Sequence, residues 1–345
     1  MLLYQRVRNY LEKQIEKGKP GELLPSEYQL CRSLGVSRVT VRRAIKDLKE
    51  EGLILSYQGK GLFVLPQPQL RKKERVIRIL FPVYDQPQDW FLLPLLQPII
   101  SHFSRHPYRI ILAPFSLREI SSSRLKDTAG LFWVAPYANQ IGYLPRIRET
   151  GVPLVVLNRV IEKAGFSYVS TDHVASGKLA GEILISQGHR KVGYVGLIEE
   201  SQPTVHRLAG LRLALAKEGI TLKKNAVISL FLPVSFSRVT ESTKKLLIEE
   251  KLTSLVVSGG SLLPACLKAL RQTGLGLGQE IQVLTFDEAP EVEAETEASL
   301  TRIVQPLEEI GQEAVQAMLS LMGGETRPIR KVLSARIYEK EIVMK

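Results

Sequence analysis

Apolar residues follow two different rhythms along the 345-residue chain. Between residues 24 and 64 the spacing is first helical and then alternating. Ser26, followed three residues later by Gln29, is a capping-box pattern that predicts a helix start, and Gly35 predicts its end in a tight turn. Ser37 caps a second predicted helix, on which Val41, Ala44, Ile45 and Leu48 recur at i, i+3, i+4 and i+7 and so bury one stripe. LILSYQ (53–58) and LFV (62–64) flank Gly59-Lys60-Gly61, which predicts a two-stranded hairpin with a glycine tip.

Beyond Arg75 the rhythm changes. Short, β-branched, nearly continuous apolar runs alternate with amphipathic stretches: VIRILFPV, YRIILAPF, GLFWVA, VPLVVLN, KVGYVG, AVISLF, SLVVSG and IQVLTFD. Such runs predict buried parallel strands spaced by helices. A pattern sustained over about 270 residues exceeds one sheet of usual size, which predicts two lobes. Between the two rhythms LPQPQL (65–70) and RKKER (71–75) form a solvated connector. The expected fold is therefore multidomain α/β: a winged helix-turn-helix over 1–65, a linker over 66–75, and a two-lobed domain with parallel sheets over 76–345. Its N-lobe is expected at about 76–187 and 301–328, and its C-lobe at about 188–300 and 329–345.

Composition narrows the class. With 44% hydrophobic and 24% charged residues the chain suits a globular protein rather than a disordered or fibrous one. The net charge of +12 is unevenly placed: residues 1–74 carry 15 basic and 8 acidic side chains. That local excess suits a polyanion. Cys31 and Cys266 lie far apart in apolar helical contexts, so a reducing compartment is expected rather than a disulfide framework. No run approaches 18 apolar residues and the first eighteen residues carry charges every few positions, so a cytoplasmic location without membrane association is expected.

The second predicted helix leaves Arg38, Arg42, Arg43 and Lys46 on the arc opposite its apolar stripe. A basic helix that starts with small polar residues can lie in a major groove with its N-terminal end at base edges, and a glycine-tipped hairpin can approach phosphates closely. The stretch LPSE…LGVSRVTVRRAI…DL…EEGLI…QGKGLFV resembles the winged-helix domain of GntR-family regulators. The resemblance implies contact with double-stranded operator DNA by Ser37, Arg38, Thr40 and Arg42 on the recognition helix and by Gln58, Gly59 and Lys60 on the wing, with Ser26 at the preceding helix start. Tyr28 stands where many members carry a basic DNA-contacting residue, so operator preference is expected to differ.

The stretches VPLVVLNR, VSTDHVASGKLAGEILISQGHRKVGYVG, HRLAGLRLALAKEGI, IQVLTFDE and SLTRIVQPLEEIGQEAV resemble the effector domain of the lactose-repressor family, itself similar to periplasmic sugar-binding proteins. A GntR-type domain fused to such an effector domain is the arrangement of arabinose repressors. The resemblance implies a ligand pocket of Arg159, Asp172, Arg207, Asp287 and Gln305, with Trp90 and Phe91 stacking on a sugar, and a homodimeric repressor. Strand-end placement of Arg159 and Asp287 agrees with where open α/β sheets bind ligands. Gly259-Gly260 replaces a frequent Asn-Asp and Asn158 a frequent Asp, which motivates a sugar acid or sugar phosphate as effector. The alternative is a DNA-binding regulator whose sensor is degenerate, non-sugar or ligand-independent.

Other signals point to no cofactor, metal or enzymatic activity. GLGLG (274–278) follows a helix and precedes a strand, the reverse of the order a phosphate-cradling loop needs. His102 and His106 sit at i, i+4 but Pro107 closes the helix without a third ligand, and no G-x-S-x-G or H-E-x-x-H motif occurs.

Overall fold

A computed structural model describes residues 3–19, 21–50, 52–57, 61–65, 75–82, 89–163, 165–197, 201–230, 234–287 and 300–338, and the side chains of these except at 16, 17, 50, 89 and 90. The chain divides into two compact units, residues 1–73 and 74–345, with the division falling inside the expected linker.

The first unit opens with α1 (Leu3–Lys17), in which Val7, Leu11 and Ile15, four residues apart, bury one face. After β1 (Leu23–Leu24) come α2 (Glu27–Leu34) and α3 (Arg38–Glu50), then the hairpin β2 (Ile54–Tyr57) and β3 (Gly61–Val64). The capping box forms as the sequence predicts: the Gln29 amide donates to Ser26 Oγ at 3.3 Å and the Ser26 amide to Gln29 Oε1 at 2.8 Å. Gly35 ends α2 with φ of 63°, a left-handed conformation that favours glycine. The stripe Val41, Ala44, Ile45 and Leu48 is buried against Leu11, Ile15 and Leu30 in one small core, over which the antiparallel sheet β1-β3-β2 folds.

The second unit is α/β with two sheets. In chain order it holds β4 (Arg75–Phe81), α4 (Asp89–Ser104), β5 (Tyr108–Pro114), α5 (Ser122–Leu125), β6 (Thr128–Val134), α6 (Leu144–Arg148), β7 (Leu154–Leu157) and β8 (Ser167–Thr171). There follow α7 (His173–Ser186), β9 (Val192–Gly196), α8 (Gln202–Lys217), β10 (Val227–Ser229), α9 (Phe236–Glu250), β11 (Ser254–Ser258), α10 (Leu263–Thr273) and β12 (Gln282–Phe286). The described chain closes with β13 (Leu300–Val304), α11 (Leu307–Met322), β14 (Arg330–Leu333) and β15 (Arg336–Ile337). The N-lobe sheet runs β14-β8-β7-β6-β4-β5 and the C-lobe sheet β10-β9-β11-β12-β13-β15, every pairing parallel except β13 with β15. Each apolar run singled out in the sequence contains a strand of these sheets.

The lobe boundaries differ from those expected. Helix α7, expected in the N-lobe, buries Ala180 and Leu184 in the C-lobe core. Strand β13 pairs with β12 and belongs to the C-lobe, whereas β14 pairs with β8 and belongs to the N-lobe. The chain thus crosses between lobes near residues 172, 305 and 334. Each crossing joins elements by very short connections, so the sequence reads straight through it as an ordinary βα or ββ unit. The GLGLG segment lies between α10 and β12, a helix-to-strand turn as expected.

Helices α7 and α8 cross at two glycines. A Cβ on Gly177 would fall 2.0 Å from the Arg207 carbonyl oxygen, and one on Gly210 would fall 2.0 Å from that of Val174. Backbone, not a flexible side chain, occupies both spaces, so a methyl group there must push the helices apart. Gly210→Ala is expected to destabilise the second unit by about 1–3 kcal/mol, the usual cost of overpacking, read as a lower thermal unfolding midpoint against wild type.

Candidate functional site

The exposed arc of α3 carries the candidate DNA-contacting groups. Ser37 Oγ and Thr40 Oγ1 share a hydrogen bond at 2.8 Å, and the Thr40 amide donates to Ser37 Oγ at 3.3 Å, so this pair caps the helix. Arg38 is exposed, and so is Arg42, whose Nε donates to Glu27 Oε2 of α2 at 2.9 Å. A guanidinium bonded through Nε keeps its Nη donors for a second, bidentate acceptor such as guanine O6 and N7. Arg43 instead lies over the Tyr4 ring, and the Tyr4 hydroxyl donates to Asp47. Ser26 is occupied as a helix cap. Tyr28 is exposed at the start of α2. Gln58, Gly59 and Lys60 lie outside the described residues.

Two groups, one on α2 beside this arc and one on the arc itself, were not singled out in the sequence. Glu27 positions Arg42 across fifteen residues, which no local spacing rule reports. Val39, 78% exposed on the first turn of α3, offers an apolar contact of the kind that reads a thymine methyl. Its signal was available: it is an apolar residue off the buried stripe.

The second unit gathers polar groups where its strands end. Ala135 after β6, Asn158 after β7 and Asp287 after β12 have φ of 44°, 55° and 71°, and Gly259 after β11 has 137°. Left-handed backbone at non-glycine residues costs on the order of 1–3 kcal/mol and concentrates at functional sites. Arg207, 3% exposed on α8, donates through Nη2 to both Asp287 oxygens at 3.0 and 3.2 Å, and its guanidinium lies 4.4 Å from the centre of the Phe286 ring. Gln305, at a lobe crossing, donates to Asp287 Oδ1 at 2.8 Å and accepts from Thr171 Oγ1 of the N-lobe at 2.9 Å. Arg159, 6% exposed, donates to the carbonyls of Pro136 and Asn158 at 3.0 and 2.6 Å. A second interlobe clasp joins Gln202, the first residue of α8, to both the amide and the carbonyl of Val160, each at 2.9 Å. Asp287 and Gln305 also line a cavity of about 430 Å³ with Pro94, Leu307, Glu308 and Arg336.

These positions sort the expected pocket residues. Arg207, Asp287 and Gln305 meet directly, and Arg159 lies on the N-lobe side of the same seam. Asp172 takes a different role: it caps α7, its Oδ1 accepting from the Ala175 amide at 2.8 Å, because a carboxylate satisfies a free helix-end amide. Phe91, expected to stack on a ligand, is 5% exposed and packs in the N-lobe core with Leu95 and Phe132, because its position on α4 turns inward. The Trp90 side chain lies outside the described residues. Thr171, His173 and Gln202 were not singled out in the sequence, since each acts only through the lobe-to-lobe juxtaposition.

His173 is 1% exposed and neither ring nitrogen has a hydrogen-bond partner. Burial above all, then the charges of Arg207, Arg159 and His206, hold its pKa well below the usual value. Burial likewise pushes the Cys266 thiol up to about 12, which suits an inert core residue. Among the described residues no group of three His, Cys, Asp or Glu side chains could hold a metal, and no helix is long and apolar enough to cross a membrane.

Residues 3–64 match the model of bacterial regulatory proteins of the gntR family, and residues 182–341 match the periplasmic binding protein-like domain. The chain is 24% identical to the arabinose metabolism transcriptional repressor of Geobacillus stearothermophilus over 341 residues, covering 95% of this chain and 92% of that protein. Over 68 residues it is 44% identical to the probable fructoselysine utilization operon transcriptional repressor of Escherichia coli, covering 19% of this chain and 28% of that one. Among solved structures it resembles the transcriptional regulator CelR in complex with cellobiose, with a TM-score of 0.67 at 21% identity over 88% of this chain and 90% of that one.

The depressed pKa of His173 has a direct consequence for stability. Below about pH 6.5 the unfolded chain binds a proton at this residue that the folded chain excludes, so its contribution is fully present above that pH and is lost as pH falls. Wild type is expected to lose up to about 1.4 kcal/mol per pH unit more than His173→Leu between pH 6.5 and 5, measured by denaturant unfolding of both.

Proposed function

We propose that this chain, which joins a GntR-type helix-turn-helix domain to a periplasmic-binding-protein-like α/β domain, represses transcription of sugar-utilisation genes and is controlled by a small molecule held between its lobes. The observation that carries the DNA-binding half is the exposed arc of α3, where Arg38, Val39 and Arg42 stand on a helix anchored by its buried stripe. The sensor half is supported by the seam of Arg159, Arg207, Asp287 and Gln305 at the strand ends, where α/β domains take ligands. The full-length likeness to repressors of arabinose metabolism agrees with both halves.

In this reading two copies of the protein, in the cytoplasm, place their α3 helices in successive major grooves of a roughly palindromic operator. Ser37, Arg38, Thr40 and Arg42 face base edges, and Gln58, Gly59 and Lys60 reach the adjacent backbone or minor groove. Effector binding changes how the lobes meet and thereby the affinity for DNA, which requires the effector to bind the two arrangements unequally. Among the described residues the seam holds no nucleophile paired with a base, and in this reading the bound compound leaves unchanged.

Selection of operator DNA from random duplexes, followed by titration of wild type and variants, tests the reading. Arg42→Ala is expected to weaken operator binding by about 1–3 kcal/mol while altering binding to unrelated duplex much less. Glu27→Ala removes a negative charge near DNA and still narrows the ratio of specific to non-specific affinity, because Arg42 loses its brace. Undiminished operator binding by Arg42→Ala means that α3 does not read the groove.

A further inference from the structure

Among the described residues, the exposed side chains of α3 are basic except at one position. Arg38, Arg42, Arg43, Lys46 and Lys49 carry positive charge, and Val39 stands among them. Val39 is 78% exposed, more than any other large hydrophobic side chain among the described residues. Scattered apolar residues are ordinary on a surface, but the place of this one is not. At 3.6 residues per turn, Val39 lies almost diametrically opposite the centre of the buried stripe Val41, Ala44, Ile45 and Leu48, with Lys46 and Arg43 on either side of it. A helix that enters a groove with its stripe held in the core therefore presents this isopropyl group foremost.

Local structure holds the group in place. Val39 sits in the first turn, which the Ser37 and Thr40 hydrogen bonds cap. A β-branched side chain in a helix keeps essentially one χ1 rotamer, so little freedom is lost on docking. Docking also strips water from the base edge that the valine meets. A valine pressed on the O6 or N7 of guanine, the N6 or N7 of adenine or the N4 of cytosine leaves those polar groups with neither water nor a partner, which is costly. Thymine alone presents an apolar group in the major groove, its C5-methyl. The same side chain therefore attracts one base and penalises the other three.

We propose that Val39 is a specificity-determining residue of the operator contact and that it reads a thymine methyl in each half-site. The inference rests on the regulator reading above and deepens it by naming a base. Arg42 follows Val39 by three residues on the same face of α3. That separation is a rise of about 4.5 Å, against about 3.4 Å per base step, so the thymine lies within about two base pairs of the base that Arg42 contacts. Arg42 offers paired donors, which suit guanine, and Val39 offers a methyl contact. Two chemically unlike contacts on one helix face specify a short mixed sequence rather than a run of G·C pairs.

The test uses the full chain and a duplex that it selects from a random pool. Each thymine of that duplex is replaced in turn by deoxyuridine, which removes only the C5-methyl, and affinities are titrated for wild type and for Val39→Ser, a change at an exposed position. At one thymine per half-site uracil is expected to weaken wild type about fourfold, the worth of one buried methyl group, and to leave Val39→Ser unchanged. Cytosine at that position is expected to weaken wild type further, and 5-methylcytosine to recover part of the loss. Binding to unrelated duplex is expected to be the same for both proteins. Indifference of wild type to every uracil, or an equal loss in Val39→Ser, overturns the role of Val39. Arg42→Ala, titrated on the same duplexes, keeps the two readings apart. If Arg42→Ala is impaired while wild type ignores uracil, this inference alone falls. An unimpaired Arg42→Ala, or failure to select any duplex, overturns the groove reading and this inference with it.

Discussion

A guanidinium excluded from water needs a carboxylate, and the second unit is organised around meeting that need for Arg207. Removing one partner of a buried pair typically costs about 3–5 kcal/mol, since the other charge is left uncompensated. The pair with Asp287 therefore fixes α8 against the end of β12, and the Phe286 ring beneath the guanidinium restricts it further. Two glycines let α7 approach α8 until backbones touch, which brings His173 alongside the same guanidinium. From Asp287 the network continues through Gln305 to Thr171 in the other lobe. One buried charge thus aligns two sheets and defines the seam between them.

The cost of the arrangement is visible in the backbone. Asn158 and Asp287 adopt left-handed conformations that β-strand ends do not require, and Asp287 needs that turn to face α8 rather than continue along its strand. Near these turns Asn158 Oδ1 and both His173 nitrogens are buried without a hydrogen-bond partner. The first unit shows the opposite economy. Its capping box, glycine turn and apolar stripe agree with one another, and its candidate DNA-contacting groups stand on the surface left over.

That contrast explains what the sequence revealed. The helix-turn-helix was legible almost to the residue because its determinants are local: Ser26 with Gln29, Gly35, and the stripe from Val41 to Leu48. The parallel strands were legible because each is a compact apolar run. Lobe membership was not, since β14 is mostly exposed and polar and pairs with a strand about 160 residues earlier, and α7 follows β8 as any crossover helix would. Arg207, Asp287 and Gln305 were identified individually, but Thr171 and Gln202 are ordinary residues until the lobes meet. Phe91 was misjudged because aromatic character does not say which face of α4 points inward. Glu27 escaped because its role depends on the crossing of two helices.

In the proposed function the polar seam at the lobe junction controls the grip of α3 on DNA. Operator affinity titrated against the effector, for wild type and for Gln305→Ala, tests it most directly. Loss of the hydrogen bonds that link Asp287 to Thr171 is expected to raise the effector concentration for half-maximal change by about tenfold, the worth of one or two hydrogen bonds. An unaltered effector response in Gln305→Ala would place the control elsewhere and contradict the account.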